Sequence, residues 1–188
     1  MSTEITEPRP HRSSQHGLSA SIPAAELLLF CRDLRGTVVE AVVAATGRAL
    51  LGHPEVGHAQ RRAGTGVGVA VGTDQGLFVP VVRNAGDGPL PEVQAEVARL
   101  VAAARSGSLS ATEVGEAAVT VCGCTRDAGT VAAEAGTGCV LAIGELGVDS
   151  LELTLFFTND DPDIGREEER RFFAALVRLL RHPYRLLV

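Results

Sequence analysis

Val67-Gly-Val-Ala-Val-Gly-Thr-Asp-Gln-Gly-Leu-Phe-Val-Pro-Val-Val-Arg-Asn-Ala85 is the stretch on which the fold turns. Thr65 to Val71 is β-branched and glycine-spaced, and it reads as a strand. Thr73-Asp74-Gln75-Gly76 has the residues of a tight turn. Leu77 to Val82 is the returning strand. Pro80 lies inside it and has no N–H for a ladder, so the strand belongs at an edge or carries a bulge. The glycines 64, 66, 68 and 72 sit on and beside a strand. They do not precede a helix, which argues against a dinucleotide loop.

Outward from the hairpin, helices and strands alternate. Residues 1–16 are polar and read as an N-terminal arm, leaving 17–188 as a single domain. Gly17 to Ile22 alternates as a strand before Pro23, and Ala24 to Leu34 has helix composition ending near Gly36. Thr37 is placed to cap a helix over Val38 to Leu51, with Val39, Val42, Val43, Thr46 and Leu50 on one face. Pro91 to Arg105 is amphipathic through Val93, Val97, Leu100 and Val101, and Gly107 closes it. Ser110 to Glu113 has the spacing of a capping box for a short helix. Ala117 to Val121, Val140 to Ile143 and Leu151 to Phe157 read as strands. Glu167 to Leu180 reads as a last helix that buries Phe172, Phe173, Leu176, Val177 and Leu180. The pattern predicts an α/β (α+β) fold, a mixed sheet covered by helices.

Composition excludes several chemistries. The chain has 188 residues, 45% hydrophobic and 21% charged, with a net charge of −6. That acidity argues against a nucleic-acid partner. All 17 basic residues are arginine, which removes Schiff-base, pyridoxal-phosphate and Walker lysines. No run is long enough to cross a membrane. Cys31, Cys122, Cys124 and Cys139 form no disulfide framework, and the polar start is no signal peptide, so a cytoplasmic protein with reduced thiols is expected.

The hairpin, taken whole, resembles the signature of the catalytic domain of 2-oxoacid dehydrogenase dihydrolipoamide acyltransferases, whose fold chloramphenicol acetyltransferase shares. Arg105-Ser-Gly-Ser-Leu109 is similar to the family's Ala-Arg-x-Gly-x-Leu. Val119-Thr-Val121, Val140-Leu-Ala-Ile-Gly144 and the Phe172 to Leu187 tail are similar to its later elements. The likeness runs from about Thr37 to the C-terminus. The front end is shorter than the family's, and no lipoyl or subunit-binding domain is seen. The resemblance implies a chloramphenicol acetyltransferase-like fold, acyl transfer between thioesters and acceptors, and a homotrimer with channels between subunits. Leu153, Leu155 and Phe157 alternate along one strand face. They supply either the apolar contact surface of such a trimer or an ordinary core.

In the family, a histidine in His-x-x-x-Asp-Gly is the general base on a thiol, and a hydroxyl from the neighbouring subunit stabilises the oxyanion. Here the corresponding segment is Phe157-Thr-Asn-Asp-Asp-Pro-Asp-Ile-Gly165, and the histidine position falls on Asp160 or Asp161. No histidine lies between His58 and His182. The candidate catalytic residues are therefore Asp160, Asp161 and Asp163, whose mutual repulsion would raise one pKa, and the thiol of Cys122. Candidate substrate-binding residues are Thr120, Cys124, Arg126 and Asn159. The acidic run is also readable as a solvated turn with a helix-capping aspartate, and the cysteines as small apolar fillers. A Cys-x-Cys metal site would need Cys139 and a histidine to converge on it.

Three functions follow. The first is a divergent stand-alone acyltransferase-fold enzyme of specialised metabolism, acting on a small molecule without the family histidine. A coenzyme A thioester is then a substrate, and no cofactor is firmly implied. The second is a channel turned to cyclisation, elimination or isomerisation. The third is a non-catalytic trimeric pseudoenzyme that binds or scaffolds.

Overall fold

A computed structural model describes residues 16–56, 66–123, 131, 138–147, 149–157 and 165–188. The N-terminal arm falls almost wholly outside them.

The first strand, β1 (His16–Pro23), runs into α1 (Ala24–Asp33) at Pro23. The next helix, α2 (Val38–Gly52), starts where Thr37 and Glu40 close a reciprocal capping box: the Thr37 N–H donates to the Glu40 carboxylate and the Glu40 N–H to the Thr37 hydroxyl. Expected to bury one face, α2 is instead buried on all sides from Glu40 to Leu50 except at Arg48. It lies between α3 (Leu90–Ser106) and α4 (Arg166–Arg181), over the sheet. Its small residues let neighbours come close. A Cβ on Gly47 would stand 2.3 Å from the backbone of Ala85. Gly107, at φ 69°, ends α3 in the left-handed conformation that glycine tolerates.

Among the described residues, six strands form one mixed sheet in the order β1-β8-β7-β6-β2-β5. The strands from β6 onward are β6 (Val119–Cys122), β7 (Cys139–Leu146) and β8 (Ser150–Phe157). Here β1 pairs antiparallel with β8, β8 with β7, and β6 parallel with both β7 and β2. The hairpin differs from expectation. It divides into β2 (Val67–Val69) and β5 (Val81–Val82) in the main sheet, and a separate ribbon of β3 (Val71–Thr73) and β4 (Gly76–Phe78). Pro80 is the reason. It cannot donate to a ladder, so its carbonyl accepts from the Val69 N–H and it bridges to Val114 while the ribbon bends away. As predicted, β5 is an edge.

The Ser110–Glu113 segment closes one turn and no helix. The Val81 N–H binds the Glu113 carbonyl, and Val114 is already bridged to Pro80, so the chain is pulled extended at once.

Helices α1 to α4 pack on one face of the sheet, over a core that includes Val69, Val121, Leu141, Leu155 and Phe173. Phe172, Phe173, Leu176, Val177 and Leu180 are all buried, as the periodicity of α4 requires. Each such side chain stabilises by about 1.5–3 kcal/mol, and Leu176→Ala would cost about 2–5 kcal/mol. Leu153, Leu155 and Phe157 belong to this core, so their alternation marks an internal face and not a subunit contact.

Candidate active site

The opposite sheet face carries the candidate residues. A smaller apolar cluster lies there: Cys122, Val131, Val140 and Ala142, with Ala70, Leu77 and Phe156 packed against it. Strand register fixes the rows. Gly68, Thr120, Val140, Phe156 and Gly17 lie side by side across five strands. Cys122, Ala142, Thr154 and Ser19 form a parallel row two residues on, in which the Ser19 and Thr154 hydroxyls are hydrogen-bonded at 3.1 Å. Thr120 and Cys122 therefore share a face, about 6–7 Å apart along β6.

Thr120 is fully buried, and its hydroxyl has no hydrogen-bond partner among the described residues. A buried hydroxyl left unsatisfied costs about 1–3 kcal/mol, so its retention calls for an explanation. The space around it is kept by a glycine. A Cβ on Gly68 would stand 2.8 Å from the Thr120 hydroxyl and 2.9 Å from Val79. Cys122 is buried in the cluster against which Ala70, at the bend from β2 into β3, and the ribbon residue Leu77 pack.

Cys124, Arg126, Asn159, Asp160, Asp161 and Asp163 lie outside the described residues. The point from which the acidic segment departs is nonetheless fixed. Phe157 pairs with Cys139, one residue beyond the Thr120 row, and β8 lies two strands from β6, about 10 Å. Phe157, the last described residue before it, thus lies nearer to the level of Thr120 than of Cys122.

The histidines are elsewhere. His53 caps the end of α2, where its Nδ1 lies 3.3 Å from Glu55 and its ring meets Phe172 edge-on. His182 caps the end of α4, 3.9 Å from Glu26. Both belong to the helical layer, across the sheet from Thr120. His58 lies outside the described residues. Burial pushes the thiol of Cys139 far up, aided by the nearby charge of Glu169, and that of Cys31 up to about 11, aided by Glu40. Neither is a nucleophile near neutrality. Among the described residues, no group of His, Cys, Asp and Glu could hold a metal ion.

Residues 29–146 match the family model of the 2-oxoacid dehydrogenases acyltransferase (catalytic domain). The chain belongs to this family. The matched span contains the whole hairpin, α3, Thr120 and Cys122. A curated relative, the dihydrolipoyllysine-residue succinyltransferase component of the 2-oxoglutarate dehydrogenase complex of Bartonella vinsonii subsp. berkhoffii, is 49% identical over 47 residues. That match covers 25% of this chain and 11% of the relative, so most of the relative lies outside it. The dihydrolipoamide acetyltransferase of Azotobacter vinelandii superposes with a TM-score of 0.73 at 23% identity, covering 94% of this chain and 85% of that one. A truncated catalytic core of the 2-oxoacid dehydrogenase multienzyme complex from Thermoplasma acidophilum gives 0.70 at 20%, covering 92% and 89%. A chloramphenicol acetyltransferase gives 0.58 at 10%, covering 90% and 89%. At these identities the structural likenesses show the fold, which is the acyltransferase-core fold expected from the hairpin. The family match starts ahead of Thr37, at Leu29, and ends at Leu146, short of α4.

Position 68 carried a signal that the sequence reading passed over. A glycine in a strand interior marks a close approach, and here the group approaching is the Thr120 hydroxyl. The roles of Gly47 and Gly86, by contrast, rest on a helix–loop contact that no local pattern shows.

Among the described residues, no helix is long and apolar enough to cross a membrane.

Proposed function

We propose that this protein transfers an acyl group from a thioester, of coenzyme A or a similar thiol, to a small-molecule acceptor, with no histidine at the reacting centre. The observation that supports this reading is the Thr120 hydroxyl, a buried donor without a partner on the acyltransferase-type strand. The acceptor's nucleophile adds to the thioester carbonyl. The Thr120 O–H donates to the oxyanion as it forms, a contact worth most where water is excluded. Collapse breaks the C–S bond. The acceptor's proton passes to a carboxylate of the Asp160, Asp161 and Asp163 group, which hands it on to the leaving thiolate, whose pKa is about 8.5. The molecule works as a homotrimer, and the sheet face carrying Thr120 and Cys122 meets a second copy.

Thiol release from a panel of acyl-coenzyme A thioesters, each offered with amine and alcohol acceptors, tests the proposal. Thr120→Val should lower the rate about 10²–10³-fold, as loss of an oxyanion donor does. Replacing the three aspartates by asparagine should abolish it at neutral pH. No thiol release by the unaltered protein with any thioester would leave the acyl-transfer reading without support, and survival of activity in the triple variant would end the acid–base role of that segment.

A further inference from the structure

Beside Gly123, the residue that follows Cys122, a cavity of about 520 Å³ opens between α3, the start of α2 and the bend from β2 into β3. That volume is in the range of small-molecule sites. One wall is a single helical stripe. Val97, Val101 and Arg105 recur at steps of four along α3, so they lie one above another over about 12 Å at 1.5 Å per residue. Val69 and Val71 form the facing wall, with Val121 between.

Two charged residues line the cavity, Glu40 and Arg105. Glu40 is 9% exposed, and its carboxylate accepts the Thr37 N–H at 2.8 Å, so it is committed to the cap of α2. Arg105 is exposed and has no hydrogen-bond or ion-pair partner among the described residues. The groove is thus apolar along its length, with one uncommitted cation.

We propose that this groove binds an aliphatic carboxylate of medium chain length, its chain along the Val97–Val101 stripe and its carboxylate on the Arg105 guanidinium. The ligand's role as part of the substrate rests on the acyl-transfer reading above; its binding does not. A bidentate pair with Arg105 fixes the orientation of the ligand, and the valine walls supply affinity in proportion to the area they cover.

Calorimetric titration of the full chain with octanoate, octanol and octylamine tests the assignment. Octanoate should bind most tightly and octylamine least. Arg105→Gln should weaken octanoate about tenfold, the loss of one favourable charge pair, and leave octanol unchanged. Ala102→Trp, at an exposed groove position, should fill the space and block both octanoate and octanol without lowering the melting temperature. Failure of octanoate to bind, or equal octanoate affinity in Arg105→Gln, overturns the proposal. Thiol release in the panel above, with no octanoate binding, would remove this inference alone. Octanoate binding without thiol release would remove the acyl-transfer reading and leave the ligand site standing.

Discussion

Thr120 carries two opposing demands. Its methyl group packs well on a buried strand, while its hydroxyl is held away from water with nothing to bond among the described residues. Valine has the same shape without the polar atom. Thr120→Val should therefore raise stability by about 1 kcal/mol while removing the proposed oxyanion donor. A chemical-denaturation midpoint measured beside the rate checks both halves; a destabilised valine variant would mean that the hydroxyl has a partner in the folded protein. Gly47 is the converse case. An added methyl there meets the backbone of Ala85 and Gly86, which cannot swing aside as a side chain can, so Gly47→Ala should cost about 3 kcal/mol, the upper end of overpacking. A melting temperature unchanged by that substitution would show that the helix–loop contact yields. Thr120 was visible as a candidate in the sequence because strand and family motif coincide on it. Gly47 was not, because its meaning depends on a loop that lies far along the chain.

Elements were legible where one force dominated. Periodicity placed α3 and α4 to within a residue or two, since a single apolar stripe meets a single layer. It placed α2 as closely but not its burial, which extends almost all round, and it failed for the Ser110–Glu113 box, where strand pairing outcompetes a helix. That turn is still locally strong. Glu113 accepts the Ser110 backbone N–H at 2.7 Å and its hydroxyl at 2.8 Å, and it pairs with Arg99, which also holds Glu96. These contacts, the Ser110 backbone bond first, hold the Glu113 carboxyl down to about 2 from an ordinary 4.5. The lowered value means that folding favours the charged form. The stabilisation is complete above pH 4.5 and vanishes as pH falls through about 2. Glu113→Gln should accordingly lower the melting temperature at pH 7, by a modest amount because Arg99 is exposed and solvent screens the pair, and the gap from the unaltered protein should close below pH 2. A gap that persists there would assign the loss to packing instead of charge.

For the molecule as a whole, the two sheet faces were not equally readable. Strand β6 is buried at every position, and β7 over its first five residues. Such strands show no alternation, so the side facing the helices cannot be told from the side facing the site. Only the register, with Val121 in the helical core and Thr120 and Cys122 opposite, separates them. On that second face Thr120, Cys122, Val140 and Ala142 are buried within the single chain, with Val131 packed against them, while Phe156 and Leu77 are half-buried. The proposed homotrimer would use these half-buried side chains as its contact. Sedimentation equilibrium should then give three times 19.6 kDa. Phe156→Arg places a charge on that face, one strand in from the β1 edge, and should yield a monomer with unchanged far-ultraviolet dichroism. Because the proposed acyl-transfer site lies on the same face, that monomer should also lose thiol release, whereas octanoate, assigned to the groove between α3 and the sheet, should bind it as before. A trimer that survives Phe156→Arg would put the contact between copies elsewhere. A monomer that keeps full activity would show that each chain completes its own site.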